Sequence, residues 1–423
     1  MELPQFNYAQ KSAYQQIVER EIVTEIRHPT VMQDNLTSLN FDFSLSDNEF
    51  MVMSETYLYL RCKAQVKGAD GNLTTAETDY AKVAPVNYLL NTMIKQATIE
   101  INGVPVTPST NTFAYKAYLE SLLMYNNDAR KSHLTAAGVI GTFEERSASL
   151  KKGNEFDLMG RIHFDLTHQP RPVPGGCQVS IKLDLNSPQF YMISKDAALK
   201  PSLKLEEAVL HVRRAIVSPS ALKRIYGPSR KVLRLPYEKT YVRNFPIRRG
   251  ALEEPLEDVC RGRLPRRLFF CMVSTPAYHG AYTSDPLKFE NFGLTSFACY
   301  IDGVQYPTQA YRPKFAEGLC VKEYIGLVQA LNQNNTDSYA AISYDEFKTS
   351  KCILAVNLSP DCFDYEGYNG VTNPPREGTL RIQVGFDKAT AEPIQGLIYM
   401  EFDSEIAVGS GGVVADVSAI DTR

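Results

Sequence analysis

The sequence contains no tryptophan, no Cys-x-x-Cys pair and only six histidines. No stretch approaches 18 consecutive apolar residues, so a membrane-spanning helix is not expected. The opening residues Met1-Glu-Leu-Pro-Gln-Phe-Asn7 lack a basic segment followed by an apolar one, so no secretory leader is expected either. The sequons at Asn35, Asn72, Asn334 and Asn357 are then expected to stay unmodified. Missing too are a Gly-x-x-x-x-Gly-Lys-Ser/Thr phosphate loop, a Gly-x-Ser-x-Gly nucleophile turn and a His-Glu-x-x-His zinc motif. These absences remove the commonest nucleotide, esterase and metalloprotease chemistries. The eight cysteines, at 62, 177, 260, 271, 299, 320, 352 and 362, are too scattered for a paired-cysteine zinc site. A chain of this size needs no disulfide staples, so reduced, buried thiols are the expectation.

What is present points to strands. At 423 residues the chain has room for two domains of roughly 200. Tyr (24) and Phe (20) are abundant, as suits pleated, half-buried surfaces. Apolar residues recur at every second position in Leu39-Asn-Phe41-Asp-Phe43-Ser-Leu45 and in Leu58, Leu60, Cys62, Ala64 and Val66. The same spacing recurs at Ile162, Phe164 and Leu166, at Val179, Ile181, Leu183 and Leu185, and at Leu380, Ile382, Val384 and Phe386. Such alternation puts one face of each strand in a core. Many short strands between Gly, Pro and Asn turns predict an all-β sandwich or barrel.

Helices are few. One is predicted over Phe113 to Tyr125, with Tyr115, Tyr118, Leu119 and Leu122 on one face behind an Asn111/Thr112 cap. A second is predicted over Leu319 to Leu331, with Val321, Tyr324, Ile325 and Val328 as its apolar face. A third, short one starts at Ser218-Pro219 and stops at Gly227-Pro228.

An internal echo organises these pieces. Ile101-Asn102-Gly103-Val104 and Ile301-Asp302-Gly303-Val304 lie 200 residues apart, each after an alternating strand. Each supplies the Asn-Gly or Asp-Gly pair that a tight hairpin needs for its positive φ angles. Two such turns in matching contexts predict duplication of one β-domain. The expected fold class is all-β, two tandem β-sandwiches with a few short helices in loops, each a jelly-roll β-sandwich by the family resemblance that follows. The expected boundaries are an N-terminal arm and first jelly roll over 1–217, a linker helix at 218–228, a second jelly roll over 229–408 and a flexible tail at 409–423.

Two further patterns bear on chemistry. His163-Phe-Asp165 with His211 downstream has the spacing of a two-histidine, one-carboxylate iron site. If Ile162, Phe164 and Leu166 form the apolar face of a strand, His163 and Asp165 point outward, away from a barrel interior. No metal, cofactor or catalytic residue is therefore expected. Charge is uneven: Arg213 to Arg267 holds 15 Lys/Arg against 5 Asp/Glu, a local +10 that leaves −13 for the remainder. These residues, among them Arg213, Arg214, Arg248, Arg249, Arg266 and Arg267, could meet phosphates without base readout. They could equally pair with acidic neighbours at a junction between domains or subunits. No nucleic-acid-binding motif accompanies them, which favours the second reading.

Particular stretches resemble a known family. In the first half they are Pro85-Val-Asn-Tyr-Leu-Leu-Asn91, Ala97 through Thr112, and Tyr118-Leu-Glu-Ser-Leu-Leu-Met-Tyr125. In the second they are Leu264-Pro-Arg-Arg-Leu268, Ala277-Tyr-His-Gly-Ala-Tyr282, Pro286-Leu-Lys-Phe289 and Ile301-Asp-Gly-Val304. Ile342-Ser-Tyr-Asp-Glu-Phe347, Gly378-Thr-Leu-Arg-Ile-Gln-Val384 and Leu397-Ile-Tyr-Met-Glu-Phe-Asp403 complete the set. Together they resemble Polinton/Maverick-type, adintovirus-like major capsid proteins, distantly like the adenovirus hexon. The resemblance implies a non-enzymatic structural protein of the virion, made in the host cytoplasm or nucleus. It implies a homotrimer whose jelly rolls form a pseudo-hexagonal capsomer of an icosahedral capsid around double-stranded DNA, with a penton or minor capsid protein as partner. A tandem jelly-roll carbohydrate- or receptor-binding protein is the alternative, but no Asp/Asn-rich calcium loop is visible for it.

Overall fold

The computed structural model describes residues 15–29, 36–227, 232–331, 333, 340, 342–358, 375–409 and 414–416. Asn35, Asn334, Pro228 and Cys362 lie outside them. Sixteen principal strands fall into two sets of eight. The first set is β1 (Val18–Arg27), β2 (Ser38–Ser44), β3 (Tyr57–Lys67), β4 (Ile94–Ile101), β5 (Val104–Pro105), β6 (Glu155–Arg161), β7 (Gln178–Leu185) and β8 (Lys200–Val217). The second is β9 (Leu233–Ile247), β10 (Glu253–Arg263), β11 (Arg267–Ser274), β12 (Leu294–Ile301), β13 (Val304–Tyr311), β14 (Ile353–Asn357), β15 (Glu377–Phe386) and β16 (Ile394–Val408). Five helices matter below: α1 (Phe113–Leu123), α2 (Phe143–Ser149), α3 (Pro219–Tyr226), α4 (Val321–Ala330) and α5 (Tyr344–Thr349).

Sheet order establishes the duplication. The first half pairs β1-β8-β3-β6 and β2-β7-β4-β5; the second pairs β9-β16-β11-β14 and β10-β15-β12-β13. Adding eight to each label converts one half into the other. All of these pairs are antiparallel. Strands 1-8-3-6 in one layer and 2-7-4-5 in the other is the order of a jelly roll. The alternating residues predicted for the core are there: Leu58, Leu60, Cys62, Ala64 and Val66 on β3, and Leu380, Ile382, Val384 and Phe386 on β15, are all buried.

The predicted hairpins carry the repeat to atomic detail. Asn102 and Gly103 adopt φ of 50° and 77°; Asp302 and Gly303 adopt 49° and 85°. The Asn102 amide donates to Gln178 O at 2.8 Å, and its Oδ1 accepts from the Gln178 amide at 2.7 Å. Asp302 repeats both bonds with Thr379, at 3.1 and 2.9 Å. Each turn is thereby clamped to the neighbouring strand, β7 or β15. Both long connections that follow also end alike. Thr142 with Glu145 and Ser343 with Glu346 form reciprocal capping boxes that start α2 and α5 shortly before β6 and β14. Asn102→Ala should cost about 1–2 kcal/mol, from a left-handed alanine and a lost acceptor. Asp302→Ala should cost as much, and the double variant their sum within about 0.5 kcal/mol. Urea unfolding midpoints of the three variants check this.

A short helix lies between β8 and β9. Ser218 Oγ accepts from the Ala221 amide at 3.3 Å, Pro219 opens α3, and Gly227 at φ 61° ends it. Within the segment expected to be a tail, Val414–Asp416 pairs antiparallel with β16. Seven cysteines, all but Cys362, are buried and unpaired, and burial pushes the Cys62 thiol up to about 12.

Three expectations need correction. Residues 162–164 are not strand: β6 stops at Arg161, and Asp165–His168 forms a single 3₁₀ turn. His163 and Asp165 are therefore not on an outer face; they are 1% and 3% exposed, as deep as Ile162, Phe164 and Leu166. Period-two spacing misleads there because the segment is covered from both sides. The second helix is turned the other way. Val321 and Ile325 are 56% and 42% exposed, while Glu323, Gly326, Leu327 and Ala330 face the core. Finally, α1 has no solvent-facing side, since all eleven of its residues are buried.

Candidate functional site: the junction of the two sandwiches

Helix α1 is buried on every side because it lies between the halves. Thr112 Oγ1 donates to Val242 O on β9 at 3.0 Å, and the Tyr115 ring stacks on Tyr278 with centroids 5.6 Å apart. Lys116 and Glu120, one helical turn apart, project from the same side of α1 into this interior.

Around them sits a closed polar network. The Lys116 ammonium lies 2.9 Å from Glu120 Oε1, 2.9 Å from Asp165 Oδ1 and 2.6 Å from His163 O. Glu120 Oε2 is 2.7 Å from His163 Nδ1 and 3.2 Å from His168 Nε2. The second half contributes Thr240, whose hydroxyl donates to Asp165 Oδ1 at 2.6 Å, and Tyr399, whose hydroxyl donates to Glu120 Oε1 at 3.4 Å. Tyr88 OH meets His163 Nε2 in a short hydrogen bond.

Electrostatics follow from this geometry. Burial alone would raise the Glu120 carboxyl, but Lys116, His168 and the bonds from both imidazoles hold it well below the carboxylate range. Burial would likewise strip the proton from Lys116, and the Asp165 and Glu120 carboxylates keep it on. His163 is the exception: burial wins over its bond to Glu120 and lowers the ring to about 4. Glu120, His163 and His168 present donor atoms within 4.8 Å of one another, which is close enough for a metal. Glu120 Oε2 already accepts from both imidazoles, Tyr88 occupies His163 Nε2, and Lys116 supplies the cation that the carboxylates require. The cluster ties α1 and the 163–168 segment to Thr240 and Tyr399 of the second half.

The sequence singled out His163 and Asp165, and the structure does bring them together, with Lys116 between them. His211 stands elsewhere, on β8 opposite Tyr57 and Glu25, its ring edge-on to Tyr59. Lys116, Glu120, Tyr88, Thr240 and Tyr399 were missed. One signal was available: a lysine and a glutamate spaced i, i+4 within an otherwise apolar helix.

The basic residues are mostly engaged. Arg213 pairs with Glu21 and Glu55 at 2.8 and 3.5 Å, Arg214 with Glu49 at 2.9 Å and Arg248 with Glu254 at 3.2 Å. Arg266 and Arg267 bracket Glu238, and each also holds a second carboxylate, Asp403 and Glu401 respectively. Arg249 is exposed beside the Gly250 turn.

Two eight-stranded jelly rolls in one chain define the double jelly-roll class, and this chain has that fold. No family model matches the sequence. It is 26% identical over 381 residues to uncharacterized protein F54H12.2 of Caenorhabditis elegans, covering 86% of this chain and 90% of that one. Among solved structures it is similar to a chain of the Sputnik virophage, with a TM-score of 0.60, 10% identity and coverage of 100% and 95%. It is similar also to the Faustovirus major capsid protein (TM-score 0.60, 9% identity, 94% and 92%) and the mavirus major capsid protein (0.53, 11%, 98% and 95%). The resemblance to Polinton/Maverick-type capsid proteins read from the sequence agrees with these neighbours.

Proposed function

We propose that this chain is the major capsid protein of a DNA virus or of a Polinton/Maverick-type element, a wall element and not an enzyme. Three copies associate into a capsomer of six jelly rolls with pseudo-hexagonal outline. Capsomers tile an icosahedral shell around double-stranded DNA, with a penton or minor capsid protein at the vertices, so the protein resides in the virion. One observation carries the reading. The two-sandwich fold is matched over nearly the whole length of chains from viral capsids. A rigid, doubled sandwich gives a thick block with loops at its ends for neighbours.

DNA contact is indirect in this reading. Five of the six singled-out arginines spend their charge on carboxylates of their own fold, which leaves Arg249 as the freest of them for an inner or junctional face. Among the described residues no helix is long and apolar enough to cross a membrane. Light scattering on purified protein should give three times the chain mass of 47.4 kDa, and electron micrographs should show hexagonal capsomers or shells. A monodisperse monomer at high concentration, without particles, would overturn the proposal.

A further inference from the structure

A cleft of about 1140 Å³ opens at one end of the first jelly roll, where β3 and β7 end and β4 and β8 begin. Tyr278, His279 and Tyr282 of the second half line it as well. Three lysines stand in its wall, Lys67, Lys95 and Lys200, and no aspartate or glutamate does. All three are exposed, and among the described residues none has an ion-pair or hydrogen-bond partner.

The fold does not require this concentration of charge. Lys67 and Lys200 are Cα partners, the terminal pair of the β3–β8 ladder. Like charges directly opposite each other on antiparallel strands are destabilising. The duplication supplies the comparison. The terminal pair at the same end of the β11–β16 ladder is Ser274 with Ile394. The second residue of β12 is Thr295, where that of β4 is Lys95. The second jelly roll closes this end without a lysine at any of the three places, so the charges answer to something outside the fold.

The rest of the lining says what that is. It includes neutral hydrogen-bonding groups, among them Gln65, Asn111, Ser187 and Ser202. Ser187 precedes the helical turn Pro188–Tyr191 without capping it, which leaves its hydroxyl available. Separate point charges, amides and hydroxyls beside the half-buried rings of Tyr278 and Tyr282 suit a ligand that carries anions and hydroxyls on rings with apolar faces. The cleft exceeds the roughly 300–1,000 Å³ of small-molecule sites, so several such rings fit. A single-stranded nucleic acid needs open aromatic faces on which bases stack, and one face of Tyr278 is already covered by Tyr115. We propose that the cleft binds an anionic oligosaccharide, with its sulfate or carboxylate groups on Lys67, Lys95 and Lys200 and a sugar face against Tyr282. The inference rests on the cleft alone and stands apart from the capsid reading.

The test is titration calorimetry on the full-length chain with two probes, a heparin hexasaccharide bearing sulfates and carboxylates and a hyaluronan hexasaccharide bearing carboxylates only. At least one should bind, and the pair identifies the anion. Lys67→Ser and Lys95→Thr install the second half's residues, and Lys200→Gln removes the third charge. Each should weaken binding roughly two- to fivefold, and the triple variant roughly 10- to 100-fold. Melting temperatures should not fall, because no partner is lost. Lys322→Gln, on an exposed lysine of α4 outside the cleft, should leave affinity unchanged. Failure of both sugars to bind overturns the proposal, as does a triple variant with wild-type affinity or a loss in Lys322→Gln equal to that of the cleft variants. A single-stranded oligonucleotide or a hexaglutamate peptide that binds more tightly than either sugar assigns the cleft to another ligand and overturns it too.

Discussion

Lys116→Met is expected to destabilise the folded chain by about 3–5 kcal/mol, the cost of stripping a buried ion network of the lysine that holds its two carboxylates. Two carboxylates would remain in the interior. Glu120 would keep its imidazole partners, but Asp165, whose second oxygen already lacks a hydrogen bond, would keep only the Thr240 hydroxyl. Because Thr240 and Tyr399 belong to the second half, the loss should appear as loosening of one jelly roll from the other as well as a lower melting temperature. Neutralising the carboxylates together with the lysine, in Lys116→Met with Glu120→Gln and Asp165→Asn, should recover most of the loss. Chemical denaturation of the single and triple variants measures both effects. A single variant within about 1 kcal/mol of wild type would show that the network contributes little.

Acid should act on the same junction. Above pH 6.5 the His163 ring is neutral whether the chain is folded or not, so its contribution is complete there. As pH falls, the unfolded ring takes up a proton that the buried ring refuses until about pH 4. Stability is therefore lost across the window from 6.5 to 4, in total by about 3 kcal/mol. Glu120 continues the trend: its carboxyl is depressed in the fold, so the unfolded chain protonates first as pH drops below the ordinary glutamate range. Melting temperatures recorded from pH 7.5 to 4 should decline, and His163→Gln should flatten the part between 6.5 and 4.5. An unchanged slope in that variant would remove His163 as the cause.

Legibility in the sequence followed the number of faces a segment buries. Strands with one wet face, such as β3 and β15, announce themselves by alternation, and their cores are where the pattern puts them. The Asn-Gly and Asp-Gly turns were readable because only a few residues accept their backbone angles, and Ser218-Pro219 because a cap is a local device. The segment around His163 was misread because it is buried on both sides, so neither parity is solvent-facing. Helix α4 was misread because its apolar side points away from its own core, where amphipathicity cannot tell a core from an interface. The Lys116 network joins residues from positions 88, 116, 120, 163, 165, 168, 240 and 399, a set that no local spacing could assemble.

Covalent fusion has a kinetic consequence for assembly. In the proposed ring of three such chains, every other sandwich-to-sandwich contact would form during folding, at the high effective concentration of tethered partners, independent of protein concentration. Only the alternate contacts await encounters in solution. In such an assembly the Lys116 and Glu120 junction would already be made when the chain folds, before any particle grows.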